Sequence, residues 1–384
     1  MNPTPYEICV PQVVLNDLKQ RLIGTRWIDA IEESQWLYGA DIDVVREYIS
    51  YWRDDFDWRK QEAILNSWNH YTSEIDGVEV HFIHHKSQFP NAVPLLLLHG
   101  WPSSFVQLLQ LAQQIINTNS ESLSFDIVIP SLPGYGFSGK PAVSGYGTRR
   151  AARALNLLMT SVLGYQRYGV RGGDIGKLIT DWLCSDYAER VIGAHLAEII
   201  MPGPCEVPAN ASEAEAEYIK KNNLVWQEEM SYCLQHMTKP QTLAYGLNDS
   251  PVGLLAWILE KFQRWAGVDG DLSRRFTKDE LLTNITLYWV TQTIASSIRI
   301  YYEFCREDYS SQDCRAVPVA FYHGSKDMFP NAPREWADRF YNVVSYSVCE
   351  SGGHFLEWEE PVLVAEDLRE FFSGLRSSAF SFGS

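Results

Sequence analysis

No uninterrupted apolar stretch in this 384-residue chain approaches the roughly 20 residues that a membrane-spanning helix needs, so a soluble protein without a membrane anchor is expected. The opening residues MNPTPYEICVP contain neither a basic nor an apolar segment, and no secretory leader is read there. Positive charge is scarce. Lys and Arg total 32 against 48 Asp and Glu, and the net charge of -16 would repel phosphate backbones and anionic lipid. This excludes nucleic acid as an expected partner. The seven cysteines (Cys9, Cys184, Cys205, Cys233, Cys305, Cys314 and Cys349) lack CxxC spacing, and an odd number suits free thiols better than a disulfide framework. A reducing, cytoplasmic setting follows as an expectation. The chain also lacks internal repeats and low-complexity segments, and without a GxSxG elbow a carboxylesterase is the weaker reading.

What is present is the composition of a packed protein, with 46% hydrophobic residues, 13 Trp, 20 Tyr and 17 Phe. The length calls for two or three modules. Residues 1–90 read as an extension: VVLNDLKQRL has helical apolar spacing, and GVEVHFIHH alternates like a strand after the Asp76-Gly77 turn signal. PLLLLHG (94–100) and FDIVIPSLPGYGFS (125–138) are apolar runs separated by a helical segment from Phe105 to Ile116. A helix near Ala151 to Leu163, the run RYGVRGGDIG, a helix from about Lys177 and a strand GAHLAEII (193–200) follow. Strands alternating with helices imply a doubly wound, mostly parallel sheet. After Met201-Pro202-Gly203-Pro204 the periodicity turns helical and aromatic until about Arg315, and AVPVAFYHG (316–324) resumes the strands. The expected organisation is an extension (1–90), a core in two parts (91–200 and 316–384) and a helical lid (201–315) over the sheet's carboxyl edge.

The most specific local signal is GVRGGDIGKL, in which Gly172, Gly173 and Gly176 surround Asp174 between a short strand and a helix. A sharp bend there strains the central residue and needs small neighbours, which makes Asp174 the candidate nucleophile of an elbow. The plainer alternative is an Asp serving turn chemistry among glycines. HGWP (99–102) ends the apolar strand, where the Trp101 N–H can join that of Ile175 in an oxyanion hole. His354, in ESGGHFLEWEEP near the end of the chain, suits a triad base, and Asp327 in HGSKDMFP suits the acid. The order nucleophile, acid, His is the one that α/β-hydrolases use. Glu198, after an earlier strand, is the backup acid.

An Asp nucleophile decides the chemistry. Ser attacking a saturated carbon would leave an ether, whereas a carboxylate leaves an ester that water can cleave. Aspartate in water is already ionised at neutral pH, so the first step needs no base. It does need a site for the leaving group's charge. An opening epoxide calls for an acid such as a Tyr hydroxyl, and a departing halide calls for N–H donors. The lid contains tyrosines 218, 232, 245, 288, 301, 302 and 309, and abundance alone selects none.

Taken together, the elbow Asp, HGWP, KDMFP and GGHF resemble the epoxide hydrolases of the microsomal and fungal branch. The likeness covers nearly the whole chain, including WRKQEAILNSWNHYTSEIDGVEVHFIHHKS (58–87) and IPSLPGYGFS (129–138). It extends to the lid segments EEMSYCLQHMTKPQTL, SPVGLLAWILEKFQRW and LYWVTQTIASSIRIYYE. The resemblance implies the α/β-hydrolase fold and conversion of epoxides to vicinal diols, as in detoxification. It implies a covalent ester on Asp174 that water activated by His354 and Asp327 hydrolyses, with Trp101 and Pro102 contacting substrate. By the same resemblance Tyr232 and Tyr301 protonate the epoxide oxygen, with Tyr302 the alternative to Tyr301. It implies no cofactor or metal, and a homodimer. Haloalkane and haloacid dehalogenases share this machinery but resemble this chain less, because Ile175 follows the nucleophile where they have Trp or Arg. A catalytically silent relative of the same fold is the remaining alternative.

Overall fold

The structure is a computed structural model, and it describes residues 2–199 and 203–377. Three strands open it: β1 (Thr4–Tyr6), β2 (His70–Ile75) and β3 (Val78–His85). Six more follow: β4 (Val93–Leu98), β5 (Phe125–Pro130), β6 (Tyr168–Gly172), β7 (Val191–Leu196), β8 (Cys314–Gly324) and β9 (Tyr341–Cys349). They form one sheet in the order β1-β2-β3-β5-β4-β6-β7-β8-β9. Pairings from β1 through β3 to β5 are antiparallel, and all those from β5 to β9 are parallel. This is the α/β-hydrolase fold. Leu95 to Leu98 of β4 are buried on both faces, as expected of a central parallel strand covered by helices on each side.

Local chemistry sets the helix starts. Asp41 caps Ile42–Asp54 by accepting the N–H groups of Asp43 and Val44. Ser212 with Glu215, and Thr277 with Glu280, form capping boxes at Glu213–Glu228 and Lys278–Thr291. Pro240 and Pro251 occupy first turns, where a missing N–H costs no helical bond. The segment expected as one helix over 105–116 begins as a tight 3-10 turn (Phe105–Leu108) before the α-helix Leu109–Asn117. Likewise the helix Thr148–Leu157 ends in a wider π turn, Leu158–Val162.

The expected strand 193–200 is β7 and ends at Leu196; Ile200, Met201 and Pro202 lie outside the described residues. From Glu213 to Phe304 the chain is helical and covers the carboxyl edge of the sheet. The helices Gln12–Ile23 and Ile42–Asp54 pack on this same chain's lid helix Pro251–Trp265. Arg21 pairs with Asp249 at 2.8 Å, and the Tyr51 hydroxyl donates to Asp279 at 2.9 Å. Among the described residues no helix is long and apolar enough to cross a membrane.

Candidate active site

Asp174 joins β6 to the helix Ile175–Asp186 with φ 52° and ψ −126°, a conformation costly for a residue with a side chain. The glycines around it are sterically required. A Cβ on Gly176 would lie 2.6 Å from the Leu98 carbonyl oxygen, and one on Gly172 would lie 2.5 Å from that of Gly176. The bend therefore pushes the Asp174 carboxylate out beyond the strand ends. There its Oδ1 accepts the Trp101 N–H at 2.7 Å. Gly100 makes this approach possible, since a Cβ at that position would overlap the carboxylate at 2.2 Å. The Ile175 N–H forms no hydrogen bond among the described residues, standing free at the first turn of its helix.

His354 is presented by the loop after β9, where its own N–H is anchored to the Trp265 carbonyl at 2.9 Å. Nε2 faces Asp174 Oδ2 at 3.6 Å, and Nδ1 meets Asp327 Oδ2 at 3.1 Å. Burial opposes a charge on this ring, yet the carboxylates of Asp327 and Asp174 outweigh it and raise the pKa well above the ordinary value. Asp327 follows β8 and is the carboxylate against the ring. Glu198 does not take that position: it turns under the elbow and accepts the Asp174 N–H. Burial chiefly, with Asp327 and Asp174 adding, pushes the Glu198 carboxyl up to about 8.

Above Asp174 the lid presents aromatic rings. Tyr232 stacks on Trp101 at 5.4 Å, and Tyr301 stands edge-on to the same indole at 6.1 Å. The other lid tyrosines are committed elsewhere. Hydroxyls of Tyr218, Tyr288 and Tyr309 donate to backbone carbonyls, Tyr245 is exposed, and Tyr302 lies outward beneath the Arg306 guanidinium at 3.5 Å. The Tyr301 hydroxyl is buried and has no hydrogen-bond partner among the described residues, although it is close enough to Tyr232 to temper that group's shift. Burial raises both pKa values well above 10.0, so both hydroxyls keep their protons. Trp101 borders the small cavity beside Asp174, whereas Pro102 does not; the Pro102 carbonyl is turned to the Asn284 amide at 2.9 Å. That cavity, also lined by Ser103, Gln107, His354 and Glu357, measures about 10 Å³, the space of about one water.

Sequence reasoning missed three groups here. Lys261 holds its ammonium 4.7 Å from the Tyr232 ring centre, and His236 lies among the site's aromatic rings. Arg171, wholly buried beneath the elbow, pairs with Glu357 at 2.8 Å and donates to His195 at 2.7 Å. The spacing of His236, four residues after Tyr232 on a helix, was the one signal available. Among the described residues no group of three or more metal-binding side chains gathers.

A carboxylate on a strained bend, a loop-borne His and its acid, set at the carboxyl edge of a parallel sheet under a helical lid, define a hydrolase of the α/β-hydrolase fold. Residues 93–361 match the family model described as alpha/beta hydrolase fold, and residues 3–108 match the one described as Epoxide hydrolase N terminus. A putative epoxide hydrolase of Stigmatella aurantiaca is 37% identical, covering 97% of this chain and 86% of the relative. Epoxide hydrolase 1 of Sus scrofa is 36% identical, covering 96% and 88%. The Aspergillus niger epoxide hydrolase structure superimposes with a TM-score of 0.87 at 32% identity, covering 98% of this chain and 97% of the other. The juvenile hormone epoxide hydrolase of the silkworm Bombyx mori gives 0.85 at 30% identity, with 98% and 94% covered. The chain belongs to the epoxide hydrolase family.

Proposed function

We propose that this epoxide hydrolase works through an ester on Asp174. The carboxylate attacks an epoxide carbon, the ring C–O bond breaks, and the alkoxide takes a proton from Tyr232 or Tyr301. Forming the ester removes the Asp174 charge, one of the two that raise the His354 pKa, so the imidazole becomes easier to hold neutral. Neutral His354, oriented by Asp327, then takes a proton from water as the hydroxide attacks the Asp174 carbonyl carbon. The N–H groups of Trp101 and Ile175 hold the oxyanion. Collapse expels the second alkoxide, which takes the proton back from His354. The proton left on the tetrahedral carbon's hydroxyl returns to tyrosinate, and the vicinal diol leaves.

The observation that carries this reading is the single imidazole between two carboxylates, 3.6 Å from Asp174 and 3.1 Å from Asp327. The test is one turnover of styrene oxide in isotopically labelled water. Label is expected in the Asp174 carboxylate; label appearing instead in the diol overturns the ester. Two further readings accompany it. Seven unpaired thiols support a reducing cytoplasm. A homodimer rests on resemblance to the family, and sedimentation measures it.

A further inference from the structure

His236 lies one turn beyond Tyr232 on the helix Ser231–Thr238, so the two side chains project from one face. Its ring is fully buried and stands edge-on to Trp101 at 4.7 Å, Tyr301 at 4.9 Å and Tyr232 at 5.4 Å. The two ring nitrogens differ. Trp257 donates its indole N–H to His236 Nε2 at 3.3 Å, and because an indole nitrogen can only donate, Nε2 must carry the lone pair. Burial first, and the Lys261 charge second, hold the His236 pKa down to about 3, so the ring is neutral at any working pH. A neutral imidazole with a bare Nε2 carries its proton on Nδ1. That Nδ1 is buried and has no hydrogen-bond partner among the described residues.

A buried donor left unpaired destabilises a fold, and a bound ligand can supply the missing partner. The epoxide oxygen itself is not that partner: it has two lone pairs, and both tyrosine hydroxyls address it. His236 packs on the same rings as those tyrosines, so its donor is within the same aromatic cluster and free for a different oxygen. We propose that His236 contacts substrate through Nδ1–H and selects epoxides that carry a second acceptor oxygen, as an ether, hydroxyl or carbonyl, next to the three-membered ring. This rests on the tyrosine assignment above. Selection works by difference, since a hydrocarbon epoxide leaves the donor unpaired in a dry site while an oxygenated one satisfies it.

The experiment compares phenyl glycidyl ether with its all-carbon analogue, in which a methylene replaces the ether oxygen. The ratio of kcat/KM between the two is measured for the wild type, His236→Leu and His236→Asn, each checked for folding by circular dichroism. The wild type is expected to prefer the ether by roughly ten- to hundredfold. His236→Leu should bring the ratio near one, and His236→Asn, whose amide N–H overlies Nδ1, should restore most of it. His236→Phe, which fills the space without a donor, replaces the Leu variant if that fails to fold. A wild-type ratio near one, or a preference that survives in the donorless variant, overturns the proposal. Tyr232→Phe and Tyr301→Phe report separately on the tyrosines, because they slow both substrates and leave the ratio as it was.

Discussion

His354 Nε2 stands 3.6 Å from Asp174 Oδ2, closer to contact than to a tight hydrogen bond. In the proposed mechanism the imidazole addresses a water beside the esterified carboxyl, and this gap keeps it out of a tight pair with the free carboxylate. That spacing suits the hydrolysis step proposed above.

Replacing the base should divide the reaction at that point. In His354→Gln, alkylation of Asp174 proceeds and hydrolysis stalls, so intact-protein mass spectrometry is expected to show an increment equal to the substrate. Peptide mapping should locate it on Asp174. An unmodified protein after exposure to an epoxide that the wild type turns over would contradict the ester.

Removing either Tyr232 or Tyr301 by substitution with Phe should slow alkylation by roughly 10² to 10⁴, the usual range for general-acid assistance. Single-turnover fluorescence of the nearby Trp101 offers a readout. Tyr302→Phe, by contrast, should behave as wild type, because that ring lies outward under Arg306.

Glu198 makes stability depend on pH in a defined direction. Its folded pKa of about 8 lies above the ordinary 4.5, so the fold binds a proton that the unfolded chain releases across that window. The favourable contribution is complete below the unfolded value and is lost as pH rises through the folded one. Glu198→Gln keeps an acceptor for the Asp174 N–H and cannot ionise. Its Tm should therefore gain on the wild type between about pH 5 and about pH 9, and parallel curves would reject the assignment.

The ion pair beneath the elbow sets a structural limit. Arg171 and Glu357 are fully enclosed, and deleting one partner strands a charge in the interior. Arg171→Leu should cost about 3–5 kcal/mol, measured by urea unfolding. Loss of a few tenths only would show that Glu357 takes up a proton instead.

The elbow, HGWP, Asp327 and His354 were legible in the sequence because each depends on neighbours along the chain. Glycines around Asp174 announce a bend, and the order of the three chemical groups follows from the topology. Asp327 and Glu198 could not be separated that way, since both follow core strands, and only the turn of each side chain brings one to the imidazole. Tyr301 and Tyr302 pose the same problem in one helix, where one residue rotates the ring by about 100°. His236 was half legible: its spacing from Tyr232 puts it on the same helix face, whereas its missing hydrogen-bond partner is encoded by no spacing. In the fold, β1, β2 and β9 were not anticipated, β1 because three residues are too few to show a period. β2 is buried on both faces over much of its length, and β9 is an edge strand with much of its surface half-covered, so neither shows a clean alternation.

The cavity that borders Asp174 measures about 10 Å³, about the space of one solvent molecule. The rings of Tyr232, His236 and Tyr301 pack directly on Trp101 at its border, so an epoxide bound under the proposed mechanism is expected to shift them. Substitutions that shrink those rings are therefore expected to change the rate of substrate entry, which stopped-flow binding measures.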